Sequence, residues 1–517
     1  MFPTHPVTTT KDSTETRPPV QVQPVSRSPV EDLFIRAHEA VSREDFHAAN
    51  LYFRRAADLK PEKELWRWKS LGFCPTIFPN EISIEQYLKQ LNDGLDLALR
   101  ENIPMDWRTL PTDGFSPSFN LSHLGVSCKE VREKFSKIFE KAFAQSFPVS
   151  KNRELNGGRW RIGFHALHGH EGGFIRGTAG LINALDKKRF DIFVFTPNAG
   201  QKQCQEKITP DGVTFVPLGS SFEEVVKRVR ETECNLIYYR KVGSDSWSYF
   251  FPFARCSPIQ VTSYGTHGTS GVSAADYFLS STYVEPENGQ DYYTEKLFRL
   301  NSMPTYQERL PELKTPVSRT EFNIPQQGAI YFCPHRTAKY HPSFDPILKT
   351  IAERDPDGHF VLLIGRDEKG RKLLHERLKQ NLGEEIYKRI LFYPVFSFEK
   401  YCRLLSLATC VLDSPVYAGG LTSFDAFSYN VPEVTLSGSL HVKNFATGIY
   451  RCMGLGHLPC SSVSAYIDLA VRLGTEPEFR LSVSREIEAN HHKIFGSPGV
   501  VEEHTRFFES ICTEFTK

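Results

Sequence analysis

The chain has 517 residues and a formal net charge of +1, with 40% hydrophobic and 24% charged residues. This ordinary globular composition excludes collagen, coiled coil and wholesale disorder. A single core stops growing at about 250–300 residues, so the length predicts several domains. Because a near-zero net charge provides no bulk field for a polyanion, we expect no nucleic-acid partner.

The cysteines and the N-terminus bear on the compartment. None of the eleven cysteines forms a C-x-x-C pair, which argues against zinc ribbons and thioredoxin-type redox sites and predicts reduced, mostly buried thiols in the cytoplasm. No run approaches 18 apolar residues, so we expect no membrane span. Residues 1–30 are rich in Thr, Pro and Ser and lack the apolar stretch of a secretory signal, which predicts a disordered tail.

Residues 31–150 are predicted to form a helical region. Within 31–61, small residues, aromatic residues and a proline stand where a tetratricopeptide hairpin has them: Ala37, Phe46, Ala49, Phe53, Ala56 and Pro61. No second copy follows, so this is either a single tetratricopeptide-like unit or an ordinary helical hairpin that caps the next domain. Segments 84–100 and 129–147 have apolar residues at helical spacing, and we expect the hairpin to pack against 62–147.

From residue 159 onward, short apolar runs alternate with helical stretches, which predicts an α/β protein with parallel sheets. Two series of strands are expected: 161–167, 191–195, 213–218, 235–239, 260–264 and 277–281, then 329–333, 360–364, 390–393, 410–413 and 433–436. The helices expected between them are 177–185, 222–231, 346–354, 368–382 and 398–407. We therefore predict Rossmann-like domains at 159–310 and 325–490, a hinge at 304–325 and a C-terminal helix within 491–517.

Ligands of parallel sheets bind beyond the carboxyl ends of the strands, so the residues that follow strands are informative. The most informative segment is 413–425, DSPVYAGGLTSFD. Gly419 and Gly420 allow a ligand to approach the backbone, and Thr422 can cap the next helix or donate its hydroxyl to a phosphate. The pattern predicts an anion site, and the alternative is a tight strand-to-helix turn.

The segment 333–345, CPHRTAKYHPSFD, is the second one that follows a predicted strand. It has two histidines together with Arg336 and Lys339, and an ammonium near a diphosphate would neutralise the charge of a leaving group. The alternative is a solvated loop that leads into a helix.

The third and fourth segments are 164–173, FHALHGHEGG, and 264–271, YGTHGTSG. The histidine spacing of the third invites a zinc interpretation, but one short loop seldom provides three tetrahedral ligands, so we expect no metal. Its glycines suit a loop that faces a phosphate or substrate, and one histidine can act as a base. The fourth offers hydroxyls to a sugar or phosphate, or is a surface turn. Asp355-Pro-Asp357 is predicted to be a turn rather than a metal site.

Taken in order, four stretches resemble glycosyltransferase family 41, the family of O-linked N-acetylglucosamine transferases and SPINDLY-like proteins: 161–164, 258–277, 339–343 and 412–425. The resemblance runs from about residue 159 to the C-terminus, and segments 66–78 and 84–97 resemble the part before the catalytic core in bacterial members. It implies a GT-B fold, with two Rossmann-like domains facing a cleft. It also implies inverting transfer from a nucleotide sugar, usually UDP-N-acetylglucosamine, without a cofactor or an obligatory metal.

The resemblance and the loop chemistry together indicate the site residues. Lys339 matches the lysine that stabilises the diphosphate in the family. His170 matches the family's acceptor-side histidine when the loop is aligned with a shift of one residue. The nucleotide-sugar site is predicted to comprise Arg336, Val395, Phe396, Gly419, Gly420, Leu421, Thr422 and Asp425. The resemblance places Arg336 near the uracil, Val395 and Phe396 in the segment against which the base packs, and Asp425 on the ribose. The acceptor or sugar side is predicted to comprise His267, Thr269 and Ser270.

Three positions depart from the family pattern. Gly420-Leu421 stands where the eukaryotic enzymes have His-Thr, Tyr401 stands at the position of a base-stacking histidine, and Arg336 replaces a usual amide. These changes leave the phosphate end of the predicted site intact and affect its nucleobase and sugar ends.

The expected function is transfer of N-acetylglucosamine or another hexose from a UDP-sugar to a protein hydroxyl. The alternatives are transfer to an asparagine, a glycan or a lipid, a non-catalytic GT-B domain that binds a nucleotide sugar or a protein, and epimerisation of a nucleotide sugar. The helical N-terminal region favours the protein-directed functions, since an epimerase of small molecules has no need of it. The sequence does not indicate the oligomeric state.

Overall fold

The structure is a computed structural model that describes residues 27–147, 158–166, 169, 171–266, 268–365 and 367–514. Two predicted site residues, His170 and His267, lie outside the described residues, as do most of the predicted N-terminal tail and most of the linker that precedes the first sheet. No helix in the described ranges is both long enough and apolar enough to cross a membrane.

The first described part, up to residue 147, is helical as predicted. Its helices are Pro29–Ser42, Phe46–Leu59, Glu81–Arg100, Leu110–Asp113 and Lys129–Ala144, with 3-10 helices at Pro61–Gly72 and Phe119–His123. Polar caps define where the longer helices begin. Ser28 and Glu31 form a capping box around Pro29, and the Asn80 side chain accepts a hydrogen bond from the Ser83 N–H.

The N-terminal hairpin packs against the segment that follows it, as expected. Ala49, Phe53 and Ala56 of its second helix are at most 1% exposed. The rings of Phe34 and Trp66 lie 4.6 Å apart between centroids, which joins the hairpin to the 3-10 helix Pro61–Gly72. Small residues let the two helices approach closely, and the aromatic side chains fill the space beside them.

Seven parallel strands form the first sheet, in the order β3-β2-β1-β4-β5-β6-β7. They are β1 Trp160–His165, β2 Phe190–Pro197, β3 Val213–Leu218, β4 Leu236–Tyr239, β5 Ile259–Ser263, β6 Tyr277–Ser281 and β7 Lys296–Leu300. The helices around this sheet are Glu171–Phe174, Gly180–Ala184, Gln201–Gln205, Phe222–Glu231 and Ser246–Phe250. A π-helical turn, Ile175–Ala179, joins the first two of these, so the helical stretch begins earlier than predicted.

The second sheet has five parallel strands, in the order β10-β9-β8-β11-β12. They are β8 Ile330–Cys333, β9 His359–Ile364, β10 Ile390–Pro394, β11 Cys410–Leu412 and β12 Glu433–Val434. Its helices are Phe344–Arg354, Glu368–Leu382, Glu384–Tyr387, Phe398–Ser406, Leu421–Ser428, His441–Met453, Val463–Thr475 and Pro477–Asn490. Asp355-Pro-Asp357 lies in the turn before β9, as predicted, and the Asp355 carboxylate accepts a hydrogen bond from Tyr331.

All strands predicted from the sequence are present, with ends that differ by about two residues. The strand that the sequence did not predict is β7, at the edge of the first sheet. Two of its five residues are basic, and only its inner neighbour β6 pairs with it. Charged side chains are common on edge strands because they discourage pairing with another chain, so the apolar signal there is weak.

The C-terminal helix Pro498–Glu514 returns to the first sheet. Its Phe508 packs against Phe164, Phe190 and Tyr238, and its Phe507 packs 4.5 Å from Phe298. Both phenylalanines are at most 1% exposed. The chain therefore crosses between the two halves twice, once after β7 and once before this helix.

Replacement of Phe53 by alanine tests whether the hairpin is an integral part of the fold. Phe53 is 1% exposed, and truncation of a buried phenylalanine costs about 3–5 kcal/mol. Leu51 on the same helix is 43% exposed, so Leu51→Ala should change stability by less than about 0.5 kcal/mol. The protection of the Phe46–Leu59 amides from hydrogen exchange measures the local stability of both variants. Equal protection in Phe53→Ala and the wild type would contradict the observed packing.

Candidate functional site

Loops from the two sheets meet at the junction of the two halves. The Tyr264 ring, after β5, stacks on Phe445 of the second half with centroids 5.2 Å apart. Arg176, in the π-helical turn after β1, forms an ion pair with Asp425 of the second half. The carboxyl ends of parallel strands thus face each other, which is where ligands of such sheets bind.

Lys339 lies beyond the end of β8 and is buried, with 8% of the residue exposed. Its Nζ donates a hydrogen bond to the Ala418 carbonyl at 3.2 Å and lies 4.5 Å from the centroid of the Tyr417 ring. In return, the Ser414 hydroxyl donates to the Lys339 carbonyl at 3.0 Å. Two predicted loops, 333–345 and 413–425, are therefore in direct contact. The ammonium has two further donors that bond to nothing in the described structure.

Two buried carboxylates, Asp413 and Glu433, act electrostatically on this lysine. Asp413 accepts hydrogen bonds from the backbone N–H groups of Ser414 and Gly419 and from the Thr435 hydroxyl, at 2.8–2.9 Å. Glu433 accepts one from the Ser423 hydroxyl at 3.0 Å. Burial raises the pKa of Asp413 to about 6 and raises that of Glu433 well above its usual range, because charge is disfavoured inside the protein.

Burial lowers the pKa of Lys339 to about 8, although Asp413 and Glu433 oppose this effect. The lysine therefore keeps its proton at neutral pH but holds it less firmly than a lysine in water. A bound anion that paired with the ammonium and left the two carboxylates in place would raise the pKa of Lys339 back toward its usual value.

The glycine-rich loop leads into the helix Leu421–Ser428. Gly420 occupies the N-cap position without a side-chain cap, and Thr422 stands inside the first turn. The structure thus corrects one of the two predicted roles of Thr422: it is not the helix cap, and its half-buried hydroxyl remains a candidate for a phosphate. A Cβ at Gly419 would collide with Ser423 and come within 2.8 Å of Glu433, so only glycine fits there.

Asp425 is 2% exposed, and its Oδ1 lies 2.5 Å from Nη2 of Arg176. Its Oδ2 is buried and makes no hydrogen bond of good geometry in the described structure, although the nearby Tyr401 hydroxyl helps to lower the pKa of Asp425. The oxygen is therefore a candidate acceptor for a sugar hydroxyl. Burial raises the pKa of Asp425 to about 6, and Arg176 opposes this by favouring the ionised form. The sequence analysis missed Arg176, although it follows two glycines after a strand.

The predicted nucleobase segment lies at the edge of the second sheet. Val395 is 66% exposed and Phe396 is half-buried, so both are open to a planar ligand. The exposed ring of Phe398 lies 4.6 Å from the guanidinium of Arg176, which connects this edge to Asp425. Tyr401 packs 6.0 Å from Phe398 and acts electrostatically on Asp425.

Thr269 and Ser270 are engaged by a carboxylate. Their hydroxyls donate hydrogen bonds to the buried Glu295, each at 2.5 Å, and the Ser270 N–H donates to it at 2.8 Å. Thr269 is 5% exposed and Ser270 is 1% exposed. These contacts hold the shape of the loop after β5, because both hydroxyls are already bonded to the same carboxylate. A role of this loop toward the acceptor stays a prediction, as does the role of His267.

The loop after β1 is described only in part. His165 is buried and stacks on Phe251, with ring planes 11° apart, and burial lowers its pKa to about 4. Among the residues with described positions, no three His, Cys, Asp or Glu side chains come together as metal ligands. The assignment of His170 as a catalytic residue stays a prediction.

Four residues that the sequence analysis missed complete the cleft. Arg240 and Lys241 directly follow β4, and Phe119 and His123 come from the helical region. The Lys241 Nζ lies 4.2 Å and the exposed Arg336 guanidinium 5.7 Å from the Phe119 ring centroid. His123 packs 4.4 Å from Tyr417. The sequence could have indicated Arg240 and Lys241, because they are cations directly after a strand. Nothing in the sequence marks Phe119 or His123 as residues of the cleft.

Comparison with known proteins identifies a family for part of the chain. Residues 299–495 match the family model described as Glycosyl transferase family 41. The probable UDP-N-acetylglucosamine–peptide N-acetylglucosaminyltransferase SEC of Arabidopsis thaliana is 25% identical over 318 residues, which are 59% of this chain and 32% of the relative. The corresponding SPINDLY protein of the same plant is 27% identical over 305 residues, 56% of this chain and 32% of the relative. The chain therefore spans about a third of the length of these relatives.

Among solved structures, a mutant O-GlcNAc transferase from Thermobaculum terrenum aligns with a TM-score of 0.63 and 16% identity. The alignment covers 94% of this chain and 98% of that one. The predicted GT-B fold is thereby confirmed: two Rossmann-like α/β halves face a cleft, and a helical region precedes them.

The cleft lysines should make anion binding depend on pH. The pKa of Lys241 is lowered to about 7 by burial and by Arg336 and Arg240, and the pKa of Lys339 is about 8. Both lysines lose their protons between pH 7 and 9, whereas a terminal phosphate is already ionised above about pH 6. The affinity for UDP should therefore fall by at least about tenfold across this range, as measured by calorimetry.

The double variant Lys241→Arg/Lys339→Arg is the control, because arginine stays charged throughout this range. Its affinity for UDP should depend much less on pH. An equally steep loss in the double variant would show that other groups cause the pH dependence.

Proposed function

We propose that this chain, whose residues 299–495 match glycosyltransferase family 41, is an inverting glycosyltransferase that moves a sugar from a UDP-sugar to a protein hydroxyl. The sugar is N-acetylglucosamine or another hexose. The observation that carries the proposal is Lys339, a buried ammonium with unused donors. It lies at the carboxyl end of a parallel sheet, beside the helix that begins at Leu421. Such a pair of positive groups suits a diphosphate.

The proposed reaction is a single displacement. The acceptor oxygen forms a bond to the anomeric carbon, while the bond between that carbon and the terminal phosphate oxygen breaks. The electron pair of the broken bond stays on the phosphate, and the acceptor proton passes to a base, for which His170 is the candidate. Lys339 and the N–H groups of the first helical turn stabilise the charge that develops on the phosphate.

The nucleoside half of the donor is assigned to the edge of the second sheet. The buried Oδ2 of Asp425 is suited to accept a hydrogen bond from a ribose hydroxyl. Val395 and Phe396 offer an open surface to the base, and Arg336 lies beyond β8, 5.7 Å from the centroid of the Phe119 ring. Arg176 must share Asp425 with the ribose, since it pairs with the other carboxylate oxygen.

The names of the plant relatives, both peptide N-acetylglucosaminyltransferases, support a peptide acceptor. The departures at Leu421 and Tyr401 keep a second candidate open, a GT-B domain that binds a nucleotide sugar without turnover. The proposal includes no cofactor and no metal, since cations of the chain neutralise the diphosphate. Ten of the eleven cysteines are buried and all are free, which suits a protein that acts in the reducing cytoplasm.

A panel of UDP- and GDP-sugars, read by thermal shift and by nucleotide release in the presence of a peptide mixture, tests the proposal. A UDP-sugar at 100 times its dissociation constant should stabilise the protein by about 2.7 kcal/mol, and GDP-sugars should not. Release should persist in EDTA. Binding without any release would favour the non-catalytic candidate. Loss of release in EDTA with recovery in Mn²⁺ or Mg²⁺ would contradict the metal-independent reaction.

Lys339→Ala should lower turnover by roughly 10²–10³, the effect of removing one preorganised donor from a developing charge. Lys339→Arg should recover only part of the activity, because a planar guanidinium does not reproduce a compact ammonium. The exposed Lys188→Ala is the matched control and should leave turnover unchanged. Near-normal turnover in Lys339→Ala would contradict the assigned role.

A further inference from the structure

Four cations form a row across the cleft, two from each half. Arg240 and Lys241 follow β4 of the first sheet, and Arg336 and Lys339 follow β8 of the second. Arg336 lowers the pKa of both lysines, and Arg240 lowers that of Lys241. Arg336 is therefore close to both lysines and joins the pair of the first half to the pair of the second half.

The aromatic ring of Phe119 brings the middle of this row together. The Lys241 Nζ lies 4.2 Å from the ring centroid and the Arg336 guanidinium carbon lies 5.7 Å from it. A cation within about 6 Å of an aromatic face is attracted by the ring. Phe119 comes from the helical region, so all three parts of the chain contribute to the same group of side chains.

The backbone that carries Arg240 and Lys241 is held firmly. The Gly265 N–H donates a hydrogen bond to the Arg240 carbonyl at 3.0 Å. The Thr266 hydroxyl accepts one from the Val242 N–H at 2.9 Å and donates one to the Val242 carbonyl at 2.7 Å. A Cβ at Gly265 would collide with the Arg240 carbonyl oxygen, so the close approach of the two loops requires glycine. The position of the two cations is thus set before any ligand arrives.

The charge of the row is not compensated by carboxylates. Within the described ranges, Arg240, Lys241 and Arg336 form no ion pair. The carboxylate that acts on Lys241 is Asp245, and its two oxygens are bonded to the Ser248 N–H and the Ser244 hydroxyl. Lys339 is different, because Asp413 and Glu433 offset its charge. Arg240 and Lys241 are half-buried, and half-buried cations without counterions are unfavourable, so this part of the cleft is suited to an anion.

We propose that Lys241, supported by Arg240, is a second catalytic residue that contacts the diphosphate of the donor from the first half of the protein. This inference rests on the proposed function. As the sugar leaves, the electron pair of the broken bond makes the terminal phosphate carry a charge of about −1.5 to −2. Lys339 alone, with its charge offset by Asp413, does not neutralise that charge. Lys241 takes no part in the transfer of the acceptor proton.

A contact of this kind has a structural consequence. The same diphosphate would bind Lys339 of the second half and Lys241 of the first half. The nucleotide would therefore hold the two halves together, and the uncompensated cations would repel one another when it leaves.

The test is Lys241→Met, with the exposed Lys188→Met as matched control, measured for UDP affinity, turnover and the KM of the acceptor. Lys241→Met should weaken UDP binding by about tenfold or more and lower turnover by roughly 10–10², with the acceptor KM unchanged. Lys188→Met should match the wild type. Lys241→Arg should retain most of the UDP affinity and should reduce its loss between pH 7 and 9.

Phe119 provides an independent test, as a positioning residue. Phe119→Leu keeps an apolar side chain but removes the aromatic face, and it should weaken UDP binding by about two- to fivefold, the low end of a cation–π contact. Phe119→Tyr keeps the face and should retain wild-type affinity. A merely structural role would not distinguish leucine from tyrosine in this way if both variants have wild-type melting temperatures.

Unchanged UDP affinity in Lys241→Met would overturn the inference. If UDP affinity is unchanged and the acceptor KM rises, the cations bind an anionic acceptor instead of the diphosphate. If neither quantity changes, the cations bind neither substrate. Failure of the proposed function itself is distinguishable, because then the wild type would not bind UDP at all. Wild-type binding of UDP that Lys339→Ala abolishes and Lys241→Met leaves intact would keep the proposed function and reject only the second catalytic residue.

Discussion

The ammonium of Lys339 keeps its charge inside the protein, and the geometry of the cleft follows from that constraint. Burial disfavours the charged form, and the hydrogen bond to the Ala418 carbonyl and the electrostatic action of two carboxylates offset that cost. One of these carboxylates, Asp413, also accepts hydrogen bonds from the backbone N–H groups of Ser414 and Gly419. It thereby shapes the loop before the helix that begins at Leu421. Asp413 therefore both offsets the burial of the cation and shapes the glycine-rich turn that is the candidate anion site.

The helical region belongs to this cleft as much as the two sheets do. Its 3-10 helix Phe119–His123 places one ring under Lys241 and Arg336 and another against Tyr417. Burial, together with Lys339, Arg336 and Lys241, lowers the pKa of His123 far below its usual value, so the imidazole adds no charge to the row of cations. Removal of this region would expose apolar surface and would take away the side chain on which two cations rest.

Arg176 and Asp425 connect the halves at the other end of the site. A π-helical turn carries Arg176, and such turns often occur at functional sites because they reorient one side chain within a helix. The guanidinium pairs with one oxygen of Asp425 and stacks on Phe398, while the other oxygen stays without a hydrogen bond in the described structure. A residue of the first half therefore contacts the proposed nucleotide site, which the sequence assigned to the second half alone.

Much of the architecture could be predicted because its signals are local. Strand runs such as Phe360–Ile364 are continuously apolar, and the helix Phe222–Glu231 begins and ends where the sequence predicted. The segment that contains Lys339 and the one that contains Gly419 were recognised because each follows a strand. The edge strand Lys296–Leu300 was missed, since its basic residues weaken the apolar pattern. The hydrogen bonds of Thr269 and Ser270 were missed too, because Glu295 is some 25 residues away in sequence.

The sequence by itself determined the fold class, the two series of strands and the loops in which the buried Lys339 and a glycine-rich turn occur. Periodicity and strand-to-glycine spacing depend only on neighbouring residues, so a single chain displays them. Only the tertiary structure decided which side chains share the cleft: Phe119 beneath Lys241, Arg176 on Asp425, and Arg336 between two lysines. These contacts join residues that are far apart in sequence, and packing of the three parts of the chain, rather than any local pattern, brings them together.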